Sequence, residues 1–325
     1  MRELTYTAAA REGLAEEMER DPLVFVVGEG IGARGGNFKT TTGLFERFGP
    51  ERLRDTPIAE RGFTGLATGA AMVGGRPVVD YMFFDFALDG LGELINQTAK
   101  IQYMSDGRLR MPIVLRGCIG VGGSAATHHS GSYYSLFAHL PGFRVVVPTT
   151  PRDVKGLLKT AIRSDDPVIF MEHRALLNMK GPVPEEEELI PFGQAAVVRP
   201  GSDLTIVAIA AMVPASLAAA QKLAAEHVSV EVIDPRTLAP LDIDTILASI
   251  HKTGRLLIVD QTFGPCGIGA EIAAQVVDRA FDDLDAPVRR LNGAHVPTPY
   301  SPVLEAAVVP NIESIMKAVR DLEVE

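Results

Sequence analysis

Residues Gly62–Phe83 read GFTGLATGAAMVGGRPVVDYMF. The first part sets Gly, Ala and Thr through a helical stretch, which allows close packing, and a Gly-Gly pair ends it. The run RPVVDYMF that follows (Arg76–Phe83) is apolar, β-branched and too short for a helix, so it predicts a buried strand. A helix handed straight to a buried strand is the repeating unit of a parallel sheet. The same alternation extends in both directions.

Upstream, an opening helix (about Thr7 to Arg20) leads to LVFVVG at Leu23–Gly28. Downstream, a helix through GELINQTAKIQYM precedes PIVLRG (Pro112–Gly117). RVVVP (Arg144–Pro148), the helix RDVKGLLKTAIR and the run PVIFME (Pro167–Glu172) complete the first half. Between Gly181 and Gly193 the chain reads GPVPEEEELIPFG, whose prolines and acidic run cannot continue a helix or a central strand. It predicts a solvated linker. The second half repeats the rhythm with DLTIVAIA, VSVEVIDPR, RLLIVD and PVRRL as strands. Helices fall near Pro214–Glu226, Asp242–Lys252 and Ile268–Ala280. A length of 325 residues fits two domains, here 1–180 and 194–325, with 181–193 between them.

The chain carries a formal net charge of −10, which argues against a nucleic-acid partner, since phosphates are neutralised by clustered Lys and Arg. Two cysteines, Cys118 and Cys266, form no disulfide framework and fit a reducing compartment. The first residues, MRELTYTAAAREGLAEEMERDP, carry acids throughout and lack a signal-peptide core. No apolar run approaches the ~20 residues of a membrane span. A cytoplasmic protein is expected.

Two glycine-rich stretches, GEGIGA (Gly28–Ala33) and GVGGSA (Gly120–Ala125), match the loose dinucleotide-binding pattern. Neither is followed by a strong helix or by a suitably placed acid about 20 residues on, so both read as backbone loops that could line a site. A P-loop, a nucleophile elbow and structural-zinc spacing are all missing. In DTPIAERGF (Asp55–Phe63), Glu60 stands at the start of the small-residue helix, where any acid is favourably placed.

That stretch does not stand alone. Together with GRPVVDYMFFDF, MPIVLRG, HHSGSYYSLFAHLPGFRVVVPTTPRDVKGLL, VIDPRTLAPLD and GRLLIVD, it resembles the beta subunit of 2-oxoacid dehydrogenase first components, over nearly the whole chain and in order. The resemblance implies a thiamine-diphosphate pyrimidine-binding domain followed by a transketolase C-terminal-like α/β domain. It implies that Glu60 contacts N1′ of the cofactor's aminopyrimidine, where a carboxyl exchanges a proton with the ring and so lets the cofactor generate its own carbanion. Glu29 matches an acid lying along the cofactor, with Gly30 where many relatives carry a second acid. Phe86 matches the aromatic that packs on the pyrimidine ring, a position a plain core aromatic would fill equally well.

His129 matches the active-site histidine, suited to proton transfer near neutrality, beside His128. The adjacency leaves room for the opposite assignment. His139 and His173 read as structural, and Tyr133 and Tyr134 as either entrance or buried helix aromatics. Potassium held by the backbone oxygens of Ile113, Ala161, Ile162, Ser164 and Asp166 is a further implication. The family's diphosphate and magnesium motif is missing, because SDG at Ser105–Gly107 has no matching Asn segment. An alpha subunit would therefore supply Mg2+ and the diphosphate site, in an assembly of two alpha and two beta chains that serves a lipoyl-bearing acyltransferase core. A beta chain without alpha could pair with itself. Pyruvate is the first expected substrate and a branched-chain 2-oxoacid the next. An acetoin-cleaving subunit, a split transketolase small subunit and a non-catalytic scaffold are the alternatives.

Overall fold

The computed structural model describes residues 1–324. The chain divides into two compact units, one built from residues 1–119 and 132–192, the other from residues 120–131 and the chain from Gly193 onward.

In the first unit the order is β1 (Arg2–Thr5), α1 (Tyr6–Arg20), β2 (Val24–Gly28), α2 (Leu44–Phe48), β3 (Leu53–Asp55), α3 (Glu60–Met72) and β4 (Arg76–Phe83). A 3-10 segment (Phe84–Gly90), α4 (Leu91–Glu93), a π-helical turn (Leu94–Thr98) and α5 (Ile101–Met104) lead to β5 (Val114–Ile119). Then come α6 (Tyr134–His139), β6 (Arg144–Val146), α7 (Pro151–Arg163), β7 (Val168–His173) and β8 (Lys180–Val183). Six of these strands form a parallel sheet in the order β6-β7-β5-β4-β2-β3. The central strands are buried on both faces, as helix-covered parallel strands require. Val26, Val78, Leu115 and Ile169 lie at 0–1% exposure in this core.

The helices have local causes. Thr150 and Asp153 close a capping box at the start of α7, with Pro151 at its first position. The expected single helix over 92–104 is instead broken into α4, a wide π turn and α5. Within that turn the Thr98 hydroxyl donates to the Glu93 carbonyl at 3.2 Å and meets Thr68 on α3 at 2.7 Å, side-chain bonds of the kind that compete with regular helical bonding.

The expected linker is solvated at Glu185, Glu186, Leu189 and Pro191, but parts of it are docked on the first unit. Its start forms β8, antiparallel to β1, with Arg2 opposite Val183. Two of its four acids dock on α7: Glu188 accepts Arg152 Nε at 2.7 Å, while Glu187 pairs with Arg163 and, at 3.1 Å, with Lys159. Ile190, at 5% exposure, sits against Gly156, where a Cβ would come within 2.7 Å of its side chain. Acidic runs read as solvent-facing only until their cationic partners are located, and here those partners lie on a helix more than twenty residues earlier.

The second unit contains β9 (Ala196–Arg199), β10 (Leu204–Ala208), α8 (Met212–Ala224), β11 (Val230–Asp234), β12 (Thr237–Ala239) and α9 (Ile243–Thr253). It continues with β13 (Leu256–Phe263), α10 (Ile268–Ala280), β14 (Arg289–Gly293), α11 (Pro302–Ala307) and α12 (Ile312–Glu323). Its sheet has the order β14-β13-β10-β11-β9, parallel except for the antiparallel edge strand β9. The Asp242 side chain caps α9 and Gly254, at φ +66°, ends it.

Residues 120–131 depart from an unbroken first domain over 1–180. Val121 N–H donates to Gln261 Oε1 at 2.8 Å, Ser124 N–H to the Glu305 carboxylate at 3.1 Å, and the Thr127 hydroxyl to the Thr298 carbonyl at 3.0 Å. Three anchors on the second unit hold this loop. Nothing in the glycine-rich sequence GVGGSA announces them.

Candidate active site

The site begins where β2 and β3 leave the sheet. These strands are parallel, with Gly28 opposite Asp55, and Thr56 N–H donates back to the Gly28 carbonyl at 2.9 Å. That bond lays the DTPIAE run beside the end of β2. In open parallel sheets the crevice past the carboxyl ends of the strands is where ligands bind. Glu60 is the first residue of α3, where the helix dipole favours an acid, and only 6% of it is exposed. A buried Thr64–Tyr81 hydroxyl contact of 2.6 Å fixes α3 on β4. Gly90 lets the 3-10 segment close on the same turn, since a Cβ there would lie 3.1 Å from Thr64 Oγ1 and 3.5 Å from the Glu60 carbonyl.

Glu29 and Glu60 are brought within hydrogen-bonding reach of each other. The Glu29 carboxyl is pushed up to about 7 by burial, then by the charge of Glu60, the hydrogen bond with it and the charge of Asp80. Its Oε1 is buried and receives no donor. Gly30, at φ +65°, turns the chain away directly after it, and Gly36 N–H closes onto the Gly30 carbonyl at 2.8 Å. The left-handed turn suits glycine better than the second acid found in relatives.

Phe86 is half-buried rather than enclosed, and it stands edge-on to Phe83 with ring centroids 6.5 Å apart. Phe83 in turn meets Phe38 edge-on at 5.1 Å. Tyr134 is buried in α6, while Tyr133 is half-exposed, its hydroxyl pushed up by burial and by the neighbouring charge of Asp85. His173 is buried and accepts the Ala175 N–H through Nδ1 at 3.2 Å. His128 and His129 lie in a short 3-10 turn on the loop that belongs to the second unit, with His128 exposed and His129 half-buried.

Thiamine diphosphate is tested against these residues by what they leave open. A buried carboxyl oxygen awaiting a donor, a partner carboxyl at a helix start and a half-exposed aromatic fit a ring that offers polar nitrogens and a flat apolar face. Among the described residues, no group of three or more His, Cys, Asp or Glu is placed to hold a metal. SDG closes α5 as a turn, with Asp106 and Gly107 at positive φ. No helix among the described residues is long and apolar enough to cross a membrane.

The potassium positions gather at the opposite end of the sheet, with Ile113 just before β5, Ala161 and Ile162 in the last turn of α7, and Ser164 and Asp166 just after it. Arg76 already donates there, through Nε to the Ile162 carbonyl at 3.0 Å and through Nη2 to the Ser164 carbonyl at 2.7 Å. The carbonyl of Ile113 accepts Val168 N–H, that of Ala161 accepts Ser164 N–H, and that of Asp166 accepts the Ser164 hydroxyl. A cation at the Ile162 and Ser164 oxygens would share them with a guanidinium.

The structure also exposes residues that sequence reading did not single out for the site. Asp80 on β4 is 6% exposed; its Oδ1 accepts Met82 N–H at 2.9 Å and its Oδ2 accepts the Thr40 hydroxyl at 3.0 Å. Arg116 on β5 is fully buried against Glu172. The signal was present: an acid inside VVDYM and an arginine inside IVLRG interrupt otherwise buried strands.

Known proteins place this geometry. Residues 2–180 match the family described as transketolase, pyrimidine binding domain, and residues 193–315 match transketolase, C-terminal domain. The pyruvate dehydrogenase E1 component subunit beta of Rickettsia bellii is 45% identical over 318 residues, covering 98% of each chain. The chain belongs to the beta subunits of thiamine-diphosphate-dependent 2-oxoacid dehydrogenase first components. As such a beta subunit it is part of an enzyme and works with an alpha subunit. The acetoin:2,6-dichlorophenolindophenol oxidoreductase subunit beta of Cupriavidus necator is 43% identical over 329 residues, covering 98% of this chain and 97% of that one. A solved structure titled split gene transketolase, inactive beta4 tetramer, has TM-score 0.79 at 23% identity, covering 99% of this chain and 98% of that one, a likeness of fold.

Proposed function

We propose that this chain is the beta half of a pyruvate-decarboxylating 2-oxoacid dehydrogenase first component, with branched-chain 2-oxoacids as the next substrate class and lipoamide as the acyl acceptor. The observation that carries the reading is the meeting of two carboxyl groups, Glu29 and Glu60, at the carboxyl end of the sheet, one at a helix start and one with an unmatched buried oxygen. Thiamine diphosphate, when bound, supplies the carbanion nucleophile and the electron sink for decarboxylation.

In this reading the chain's own residues handle binding and protons. Glu60 holds N1′ of the pyrimidine and exchanges a proton there. Glu29 shares its proton with Glu60, and Phe86 offers an aromatic face to the ring. His129, on its glycine-rich loop, gives or takes a proton as the acyl group leaves. Magnesium and the diphosphate go to the alpha subunit, in a two-alpha, two-beta assembly docked on a lipoyl-bearing acyltransferase core in the cytoplasm. Potassium at Ile113, Ala161, Ile162, Ser164 and Asp166 would act on the fold rather than the chemistry, because those oxygens lie at the far end of the sheet.

Likeness to the acetoin oxidoreductase beta subunit supports acetoin cleavage as the second reading. Reconstitution with the cognate alpha subunit, followed by assay with pyruvate, branched-chain 2-oxoacids, acetoin and sugar phosphates, separates these. Glu60→Gln should assemble normally and lose at least about a hundredfold in turnover. Turnover close to wild type in that variant would remove the assignment and favour a scaffold role.

A further inference from the structure

The chain between Gly120 and Gly131 carries two histidines and is built under strain. Ser124 and Ala126, neither of them glycine, stand at φ +56° and +61°, and Ala126 combines this with ψ −163°, a region that glycine alone enters freely. Such a backbone persists only where its surroundings over-determine it. Here the surroundings come from β13 and α11. On β13 the buried Asp260 accepts Thr262 N–H at 2.9 Å and the Thr262 hydroxyl at 2.7 Å, and the pairing with β14 shifts register between Asp260 and Phe263. Gln261 stands at that bulge. Its Oε1 accepts Val121 N–H at 2.8 Å, while its Nε2 donates to the Val121 carbonyl at 3.5 Å. On α11 the buried Glu305 takes Ser124 N–H between its two carboxylate oxygens, at 3.1 and 3.2 Å. The Ala126 carbonyl accepts the Ser130 hydroxyl at 2.7 Å and His129 N–H at 3.5 Å, and the Thr127 hydroxyl donates to the Thr298 carbonyl. His128 and His129 are therefore bracketed by fixed points.

We propose that Glu305 and Gln261 are positioning residues that hold this strained loop in the one conformation from which His129 works. The inference rests on the reading of His129 given above. Gly120, Gly122 and Gly123 take positive φ without steric cost, but Ser124 and Ala126 do not. A carboxylate gives a backbone N–H a charge-assisted hydrogen bond, stronger than a neutral acceptor offers. Glu305 places that bond on Ser124, the first strained non-glycine residue of the loop. Without it the turn relaxes toward negative φ, and the residues that follow, the histidines included, are re-aimed. Gln261 acts earlier, just past the end of β5, where it grips Val121 through both its amide oxygen and its amide nitrogen. A general acid or base displaced by even an ångström loses much of its effect, so anchors that never touch substrate govern the rate.

The test uses the component reconstituted with its alpha subunit, assayed with pyruvate and lipoamide, with amide hydrogen exchange as a second readout. Glu305→Ala should speed exchange across Ser124–Ser130 and lower acyl transfer by about tenfold or more. Glu305→Gln keeps a carbonyl that can accept Ser124 N–H, and should stay within about threefold of wild type. The deciding measurement is a double-mutant cycle with His129→Gln. If Glu305 acts through the histidine, Glu305→Ala costs no more than about twofold once His129 is gone. An equal fall in both backgrounds, as a merely structural role would give, overturns the proposal. Unchanged exchange across the loop in Glu305→Ala overturns it too. Gln261→Met cuts the Val121 anchor and leaves α11 intact, so the same cycle run with it decides the matter if Glu305→Ala fails to assemble. Wild-type acyl transfer in His129→Gln would remove the histidine's role and this inference with it, while the proposed function would still stand or fall on Glu60→Gln.

Discussion

Arg116 donates to Glu172 through both Nε and Nη2, at 2.9 and 2.6 Å, and both bonds land on the same oxygen, Oε2. Nη1 of the arginine and Oε1 of the glutamate are buried and have no hydrogen-bond partner. Burial pushes the Glu172 carboxyl up from its ordinary value, against the pull of Arg116. Burial also works against the charge on Arg116, but Glu172 and Asp80 outweigh it and the guanidinium stays ionised.

Removing one member of this pair leaves the other charge stranded. Arg116→Met alone should destabilise the chain by about 3–5 kcal/mol in chemical denaturation. The double variant Arg116→Met with Glu172→Met should cost clearly less than the sum of the two single changes. An additive result would show that the two side chains do not share one buried interaction.

Glu29 makes stability depend on pH in a definite direction. Its folded-state carboxyl is raised to about 7 from an ordinary 4.5, so the folded protein keeps a proton that the unfolded chain releases between those values. The unfolded state then binds fewer protons, and this group's contribution to stability falls as pH rises through that window. It is fully present below the unfolded value and gone above the folded one. In Glu29→Gln this component disappears, so the wild-type-minus-variant difference in denaturation midpoint should change across the window and be flat on either side. A difference that stays flat throughout would contradict a raised Glu29.

The connector should behave as part of the first unit. Glu187→Gln with Glu188→Gln breaks its pairs to Arg163, Lys159 and Arg152, of which Glu187 is half-exposed. Because such pairs are screened by solvent, global stability should drop by only about 1 kcal/mol. Cleavage by a protease between residues 184 and 192 should nonetheless speed up several-fold, and wild-type protein should approach the same rate in high salt. Equal cleavage rates at low salt would mean that the docking on α7 is not held by these charges.

Much of the fold was legible because apolar period and length are local properties. The runs at Arg76–Phe83 and Pro167–Glu172 became strands, and RDVKGLLKTAIR became a helix with a capping box readable from Thr150 and Asp153. Local pattern failed where a distant partner decided the outcome. Thr98, in the π turn, meets Thr68 on another helix. The acids at 187 and 188 look solvated until Arg152, Lys159 and Arg163 are found beside them.

What the sequence alone determined was the alternation of helix and parallel strand, the two-domain plan and the identity of the family, since residue type and order carry all three. Tertiary structure decided where charge sits. The register of β2, β4 and β5 sets Asp80 and Arg116 in one row, and the bond from Thr56 to Gly28 lays the run that ends in Glu60 beside the end of β2. A carboxyl's proton affinity depends on burial and on charges a few ångströms away, and the groups that supply them lie 31 and 51 residues from Glu29 along the chain.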